Sequence, residues 1–253
     1  MTNQEIAKIL DQAAKNAKTV PQMAEANKMT LAEAYAIQRQ SIAMREQRGE
    51  QITGYKMGFT SKAKMEQMGV HDLIWGILTD EMEIQQGETV ILSGWIHPKV
   101  EPEIAFRVSK DIDKQLILEE LPEYLDAMAP ALEIIDSRYE NFNFSLEDVV
   151  ADNCSSTGYV IGNWQPLSSN ISNLKIDLII NDEVVESASS AAILKNPLQS
   201  VVELSRLAIQ AGVIVKKGHV ILAGAATKAH FLKQKQTLTA TVESLGKVIF
   251  KTV

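Results

Sequence analysis

The 253-residue chain has a single cysteine, Cys154, and fewer basic than acidic side chains. A lone cysteine excludes an intramolecular disulfide and any metal site built from several thiolates, so a bound metal would need oxygen or imidazole ligands. The 25 lysines and arginines against 32 aspartates and glutamates leave a net charge of -7, and no basic run forms a patch for phosphate backbones. Nucleic-acid binding is therefore not expected.

Long apolar runs are also missing. A membrane-spanning helix needs roughly 18 or more consecutive apolar residues, and no stretch of the chain reaches that length. The N-terminal segment MTNQEIAKILDQAAKNAK alternates polar and apolar residues, whereas a signal peptide needs an uninterrupted apolar centre. We therefore expect a soluble, cytoplasmic protein without a membrane partner, and its hydrophobic content of 45% allows a sizeable core.

Helix signals dominate residues 1–50. After an opening helix at about residues 3 to 18, Thr30 and Glu33 form a capping box, and good helix formers follow until Gly49 ends the pattern. Caps and apolar spacing predict three further helices: one from Thr60 or Ser61 to Gly69, one capped by Ser145 and Asp148, and one from Asn196-Pro197 to Gly212.

Strand-like segments fill most of the remaining chain. Asn181-Asp182 and Leu245-Gly246 separate several of them at hairpin distance, and regular βαβ alternation is missing. We predict an α+β fold with a largely antiparallel or mixed sheet, in a single catalytic domain over residues 1–253 that is helical over 1–50 and β-rich from about 76 to 253. The predicted strands are QITGYKMGF, ETVILS, VEPEIAFRVS, APALEIID, TGYVIGNW, LKIDLIIND, EVVESAS, HVILAGA, QTLTATVES and KVIFKTV.

Two glutamates in the segment HPKVEPEIAF share one face of a predicted strand. Side chains alternate along a strand, so Glu101 and Glu103 point the same way, and Pro102 between them indicates a sheet edge or a bend. A solvent-facing strand explains such a pair as well as function does. Glu133, in another apolar strand-like run, offers a third carboxylate. If the three converge, their repulsion favours protonation or a hard dication such as Mg²⁺ or Mn²⁺.

Other candidates are weaker when taken alone. Lys56 lies between glycines in GYKMGF and is either a solvated strand lysine or a group that stabilises an enolate or carboxylate. Ser155 or Ser156, in DNCSSTGYVIG, either binds a substrate carboxylate or serves only the turn. A serine nucleophile is not expected without G-x-S-x-G or a partner histidine. None of the four histidines has the spacing of metal ligands.

Six segments in order resemble the hydratase/decarboxylase family of the fumarylacetoacetate hydrolase superfamily, which includes 2-oxopent-4-enoate hydratases and 4-oxalocrotonate decarboxylases. The resemblance implies a mixed, partly barrel-like β structure with flanking helices, usually in homo-oligomers. It implies Mg²⁺ or Mn²⁺ on Glu101, Glu103 and Glu133, with Lys56 and Ser156 as catalytic residues. The matching segments are GYKMGFTSKAKMEQMGV, GILTDEM, HPKVEPEIAF, ALEIIDSRY, DNCSSTGYVIG and LAGAATKA. The residues expected to bind substrate are Leu73, Ile74, Leu78, Ser155 and Thr227.

The choice between the two activities depends mainly on Ile74. Hydratases of this family typically have an acidic residue two positions before the glycine of WGIL, and an apolar Ile74, with Leu73 beside it, cannot be a general acid or base. Asp72 lies two positions away and leaves the alignment open. Pro102 is also more typical of the decarboxylases. The expected reaction is therefore the metal-dependent conversion of 2-oxohex-3-enedioate to 2-hydroxypenta-2,4-dienoate and CO₂.

Three alternatives stay open. The first is a hydratase that adds water to 2-hydroxypenta-2,4-dienoate. The second is an inactive metal-binding subunit, since decarboxylases and hydratases of this family associate with one another, and an active decarboxylase is also expected to form such a complex. Hydrolysis of acylpyruvates, known elsewhere in the superfamily, would need a water-activating base that the sequence does not reveal.

Overall fold

The computed structural model describes residues 1–60 and 72–253. Six α-helices are present in the described part: α1 (Asn3–Asn16), α2 (Ala24–Asn27), α3 (Leu31–Gln47), α4 (Leu121–Tyr124), α5 (Leu146–Ala151) and α6 (Leu198–Gln210). The strands are β1 (Ile52–Gly58), β2 (Ile74–Thr79), β3 (Glu83–Ile84), β4 (Thr89–Val90), β5 (Lys99–Val108), β6 (Leu125–Ile135), β7 (Ser156–Ile161), β8 (Gln165–Pro166), β9 (Lys175–Ile180), β10 (Glu183–Ser189), β11 (Val220–Leu222), β12 (His230–Phe231), β13 (Thr237–Val242) and β14 (Gly246–Thr252). Short 3₁₀ turns lie at Asp80–Met82, Leu92–Gly94, Leu118–Glu120, Glu140–Phe142, Asn153–Ser155 and Ser190–Ala192.

The helix α3 begins and ends at the predicted signals, whereas the short helix α2 was not predicted. Thr30 accepts a hydrogen bond from the Glu33 backbone N–H, and the Glu33 carboxylate accepts one from the Thr30 N–H, which confirms the capping box of α3. Gly49 adopts a φ of 105° just after the end of α3, a conformation that favours glycine. The helix predicted from Thr60 or Ser61 to Gly69 lies outside the described residues. None of the described helices is both long and apolar enough to cross a membrane.

The main sheet is mixed, in the order β2-β1-β11-β5-β6-β7-β3, with β12 added to β5 and β8 to β6. The β1/β11 and β3/β7 pairs are parallel, and the other pairs are antiparallel. The sheet curves into a half-barrel with helices on its flanks, which confirms the predicted α+β fold. The strands β5 and β6 form its longest ladder and carry all three candidate glutamates.

A smaller sheet covers one face of the main sheet. It runs in the order β10-β9-β13-β14-β4, and the hairpin between β9 and β10 turns at Asn181 and Asp182, both with positive φ, as predicted. Apolar side chains of β5 and β6, including Val100 and Leu132, pack against side chains of the smaller sheet such as Phe250. Alternation along β5 and β6 therefore places the odd-numbered glutamates on the opposite face.

The strand predictions missed the two-residue strands β3, β8 and β12, and three larger details were also wrong. The segment ETVILS forms only the two-residue strand β4 and a 3₁₀ turn, because no neighbour continues the ladder beyond Val90. The strand β2 was not predicted, since its residues are buried on both faces and lack alternation. Pro102 lies in an inner strand and not at a sheet edge. Its carbonyl accepts a hydrogen bond from the Ala226 N–H, so the side on which Pro102 lacks an N–H faces the interval between β11 and β12. The regular ladder is interrupted there, and the missing donor is tolerated.

Candidate metal and substrate site

Three buried glutamates converge at the middle of the β5–β6 ladder. Glu101 and Glu133 are direct cross-strand partners, and Glu103 lies two residues further along the same face of β5. One carboxylate oxygen from each lies within 4.8 Å of the others. Glu103 and Glu133 are fully buried, and Glu101 is 6% exposed. The solvent-facing alternative for this pair of glutamates is therefore wrong.

Glu103 and Glu133 have carboxylate oxygens without a hydrogen-bond donor among the described residues. Glu103 Oε2 accepts from the Gly224 N–H at 2.7 Å, whereas Glu103 Oε1 and Glu133 Oε1 have no hydrogen-bond donor among the described residues. Burial, followed by the negative charge of Glu133, holds the pKa of Glu103 well above its usual range. Burial also raises the pKa of Glu133, to about 6, although Lys56 opposes the shift. Buried carboxylates with unpaired oxygens are the donor set that a hard dication prefers, so the residues present fit Mg²⁺ or Mn²⁺.

Lys56 supplies a positive charge at the same place. It lies on β1, separated from β5 by β11, and its Nζ is 3.0 Å from Glu133 Oε2. Burial by itself would lower the pKa of this ammonium, but Glu133 and the other carboxylates raise it above its ordinary value. Gly76 is the partner of Lys56 on β2, and a Cβ there would lie 3.2 Å from Lys56 Cγ and 2.8 Å from the Asn153 carbonyl oxygen. The glycine therefore makes room for the lysine side chain.

A left-handed turn brings one serine to the site. Asn153, Cys154 and Ser155 all have φ between 49° and 58°, and the Asn153 amide holds the turn to β2 by bonding both the N–H and the carbonyl of Ile77 at 2.8 Å. Such backbone strain persists where surrounding contacts enforce it, often at functional sites. Ser155 Oγ is buried and has no hydrogen-bond partner among the described residues, whereas Ser156 Oγ lies 4.0 Å from Met82 Sδ.

A cavity of about 470 Å³ opens next to this cluster. Its polar lining, which defines what we call the Lys56 cavity, consists of Lys56, Lys99, Glu101, Cys154, Ser155 and Lys228, and its other lining residues are Gly58, Phe59, Ile74, Ile135, Phe142, Phe144, Val149 and Ala229. Lys99 and the phenylalanines were not predicted from the sequence. Strand alternation from Glu101 was sufficient to identify Lys99, but Phe142 and Phe144 lie in irregular chain without a periodic signal.

Three other residues expected to bind substrate do not line the Lys56 cavity. Leu73 packs in the main hydrophobic core, and Leu78 packs in a cluster with Met82 and Ala131. The Thr227 hydroxyl donates to the Lys228 carbonyl at 3.0 Å. Substrate contacts for these three residues stay predictions, as do the catalytic roles of Lys56 and Ser156.

Asp72, the acidic residue that left the alignment open, is engaged elsewhere. Its carboxylate pairs with the guanidinium of Arg206 on α6, at 2.7 Å and 3.3 Å, and more than half of its side chain is exposed. Ile74, in contrast, is 3% exposed and lines the Lys56 cavity. The cavity wall at this point is therefore apolar.

Comparison with known proteins gives consistent matches over the whole chain. Residues 63–253 match the fumarylacetoacetate (FAA) hydrolase C-terminal family model. A 4-oxalocrotonate decarboxylase from Pseudomonas sp. is 45% identical over 247 residues, 98% of this chain and 96% of that protein. A 2-keto-4-pentenoate hydratase from Paraburkholderia xenovorans (strain LB400) is 33% identical over 97% of this chain and 93% of that protein.

A solved structure extends the likeness to the fold. The 4-oxalocrotonate decarboxylase from Pseudomonas putida G7, complexed with magnesium and adipate, superposes with a TM-score of 0.94 at 34% identity. The match covers 99% of this chain and 97% of that one.

Proposed function

The chain belongs to the hydratase/decarboxylase family of the fumarylacetoacetate hydrolase superfamily, and from this premise we propose that it is a metal-dependent 4-oxalocrotonate decarboxylase. The proposed reaction breaks the bond between C5 and the distal carboxyl carbon of 2-oxohex-3-enedioate. The electron pair of that bond moves through the conjugated chain to the 2-oxo oxygen, CO₂ leaves, and protonation of that oxygen gives 2-hydroxypenta-2,4-dienoate.

The cation would be held by Glu101, Glu103 and Glu133. The three carboxylates are buried and lie close together, oxygens of Glu103 and Glu133 have no hydrogen-bond donor among the described residues, and this donor set fits Mg²⁺ or Mn²⁺; the Pseudomonas putida G7 relative is complexed with magnesium. When bound, such a dication acts as a Lewis acid that lowers the cost of negative charge on the 2-oxo acid by several kcal/mol. That relative also binds adipate, a six-carbon dicarboxylate with the chain length of the proposed substrate.

Two side chains of the protein would bind the substrate and stabilise its developing negative charge. The Lys56 ammonium, kept charged by its carboxylate neighbours, would stabilise negative charge that develops on the 2-oxo oxygen. Ser155 Oγ would donate to the 1-carboxylate, a role supported by its burial without a partner among the described residues and by its position in the cavity lining. The sequence left either Ser155 or Ser156 as the serine that binds a substrate carboxylate, with Ser156 favoured by the family resemblance, and the contact of Ser156 with Met82 supports Ser155.

The observation that carries the choice of reaction is the apolar wall at Ile74. A hydratase needs a group that exchanges protons with water, and the nearby acid Asp72 is bound to Arg206. An apolar wall would keep the distal end of the substrate poorly hydrated, which favours loss of its carboxylate. The 33% identity to a hydratase keeps water addition to 2-hydroxypenta-2,4-dienoate as the alternative.

The test supplies purified protein with each substrate, with and without Mg²⁺ or Mn²⁺. We expect CO₂ release from 2-oxohex-3-enedioate only with the metal, and no water addition to 2-hydroxypenta-2,4-dienoate. Hydration of the second substrate without decarboxylation of the first would replace this function by the hydratase. Inactivity toward both, with metal still bound, would identify the inactive metal-binding subunit.

We further propose a cytoplasmic homo-oligomer that can associate with a related hydratase. The support is the family resemblance, and a soluble protein with a lone buried cysteine suits a reducing compartment. Sedimentation of the protein alone and mixed with a hydratase of the same organism measures both associations. A monomer that does not sediment with the hydratase would refute them.

A further inference from the structure

Lys99 lines the Lys56 cavity on the same strand face as the glutamates. Positions 99, 101 and 103 of β5 alternate onto one face, and Lys99 is the cross-strand partner of Ile135, two residues beyond the Glu101–Glu133 pair. Glu103 is fully buried, whereas Glu101 reaches the cavity. The cavity therefore extends from the carboxylates toward Lys99.

Two phenylalanines hold the Lys99 ammonium. Its Nζ lies 3.7 Å from the ring centroid of Phe142 and 4.6 Å from that of Phe231. Phe142 has a φ of 57°, which is rare for so bulky a residue, and its ring also lies against that of His97 at a centroid distance of 5.0 Å. The loop accepts local strain and places an aromatic face under the ammonium.

The other lysines that line the cavity are less suited to bind an anion. Lys56 Nζ is 3.0 Å from Glu133, and the Lys228 side chain is 85% exposed, with Glu186 at 3.7 Å. Lys99 is half-buried and forms no ion pair with a carboxylate of the described residues. It is thus the lining lysine that is sheltered from solvent and, among the described residues, not engaged in an ion pair, although the charge of Glu101 two residues away also acts on it.

We propose that Lys99 binds the distal carboxylate of the substrate and so makes the site selective for a six-carbon 2-oxo dicarboxylate over the corresponding monocarboxylate. This inference rests on the proposed function. A spacing of two strand residues is about 7 Å, and the carboxyl carbons of an extended six-carbon dicarboxylate are about 6 Å apart. A 2-oxo acid held at the glutamates therefore extends its far end to Lys99.

The contact should favour binding over turnover. The negative charge of the distal carboxylate disappears as CO₂ departs, so an ion pair with Lys99 is stronger in the bound substrate than in the transition state. Lys99→Met should raise KM for 2-oxohex-3-enedioate about 10- to 100-fold without lowering kcat. A variant with unchanged KM and reduced kcat would show that Lys99 acts in some other way.

A binding experiment separates this inference from the proposed reaction. Calorimetry in saturating Mg²⁺ compares 2-oxoadipate with 2-oxohexanoate, which differ only in a distal carboxylate or methyl group. The unsubstituted protein should prefer 2-oxoadipate, and Lys99→Met should lose that preference while its affinities for Mg²⁺ and 2-oxohexanoate stay the same. The matched control Lys228→Met should keep it. The proposal would be overturned if only Lys228→Met lost the preference, or if both variants kept it, even when the protein releases CO₂. Absence of CO₂ release would overturn only the proposed reaction.

Discussion

Replacement of Lys56 by methionine tests the electrostatic balance of the glutamate cluster. The ammonium lies 3.0 Å from Glu133, and both side chains are at most 5% exposed. At an effective dielectric near 20, two charges at that separation attract by about 5 to 6 kcal/mol, and removal of one member of a buried pair costs about 3 to 5 kcal/mol. For a chain of this size we expect the melting temperature of the metal-free variant to fall by roughly 10 °C or more.

The loss of stability caused by Lys56→Met should depend on pH. The pKa of Glu133 is raised by burial to about 6, above its ordinary value of 4.5, so the folded state binds this proton more tightly than the unfolded state does. Its contribution to stability therefore decreases as pH rises from about 4.5 to 6. Without Lys56 the pKa of Glu133 rises further, so the decrease continues above pH 6. We expect a small difference from the unsubstituted protein near pH 5 and a large one near pH 8.

Calorimetric melting in EDTA and in saturating Mg²⁺ provides the assay. Mg²⁺ should raise the melting temperature of Lys56→Met more than that of the unsubstituted protein, because the dication then replaces the positive charge that Lys56 supplied to Glu133 and is not repelled by the ammonium. Lys228→Met replaces a side chain that is 85% exposed and serves as the control; its melting temperatures in EDTA and in Mg²⁺ should equal those of the unsubstituted protein. Equal melting temperatures of Lys56→Met and the unsubstituted protein in EDTA at pH 8 would refute this account of the cluster.

Three further outcomes are expected. Glu103→Gln keeps an acceptor for the Gly224 N–H but loses a charge, so calorimetry should show Mg²⁺ affinity reduced by more than about tenfold, and activity assays should show no turnover. A variant that stays fully active in the presence of a chelator would remove the metal hypothesis. Gly76→Ala places a methyl group 2.8 Å from the Asn153 carbonyl oxygen, so urea unfolding should show a free energy of unfolding lower by about 1 to 3 kcal/mol. Its kcat should also fall, because Lys56 must move. An unchanged stability and kcat would contradict the close approach at Gly76. Burial raises the pKa of Cys154 to about 12, so iodoacetamide at pH 8 should modify the folded protein at least about 100-fold more slowly than the urea-unfolded chain. Mass spectrometry measures both rates, and equal rates would exclude a buried thiol.

Local features of the fold were predictable from the sequence because they depend on neighbours along the chain. The capping box at Thr30, the helix cap at Ser145 and the hairpin turn at Asn181 involve residues a few positions apart, and the structure contains them as predicted. Strand alternation by itself also puts Glu101 and Glu103 on one face. The family resemblance added Lys56 and Glu133, which local pattern could only rank as candidates.

The tertiary structure decided which of these residues meet. Strand register makes Glu133 the partner of Glu101, and the sheet order β1-β11-β5 brings Lys56 to Glu133 from a strand that is distant in sequence. The left-handed turn before β7 distinguishes Ser155 from Ser156, and an irregular loop places Phe142 under Lys99. Register, sheet order and loop conformation result from long-range pairing and packing, which the periodicity of a single segment does not contain.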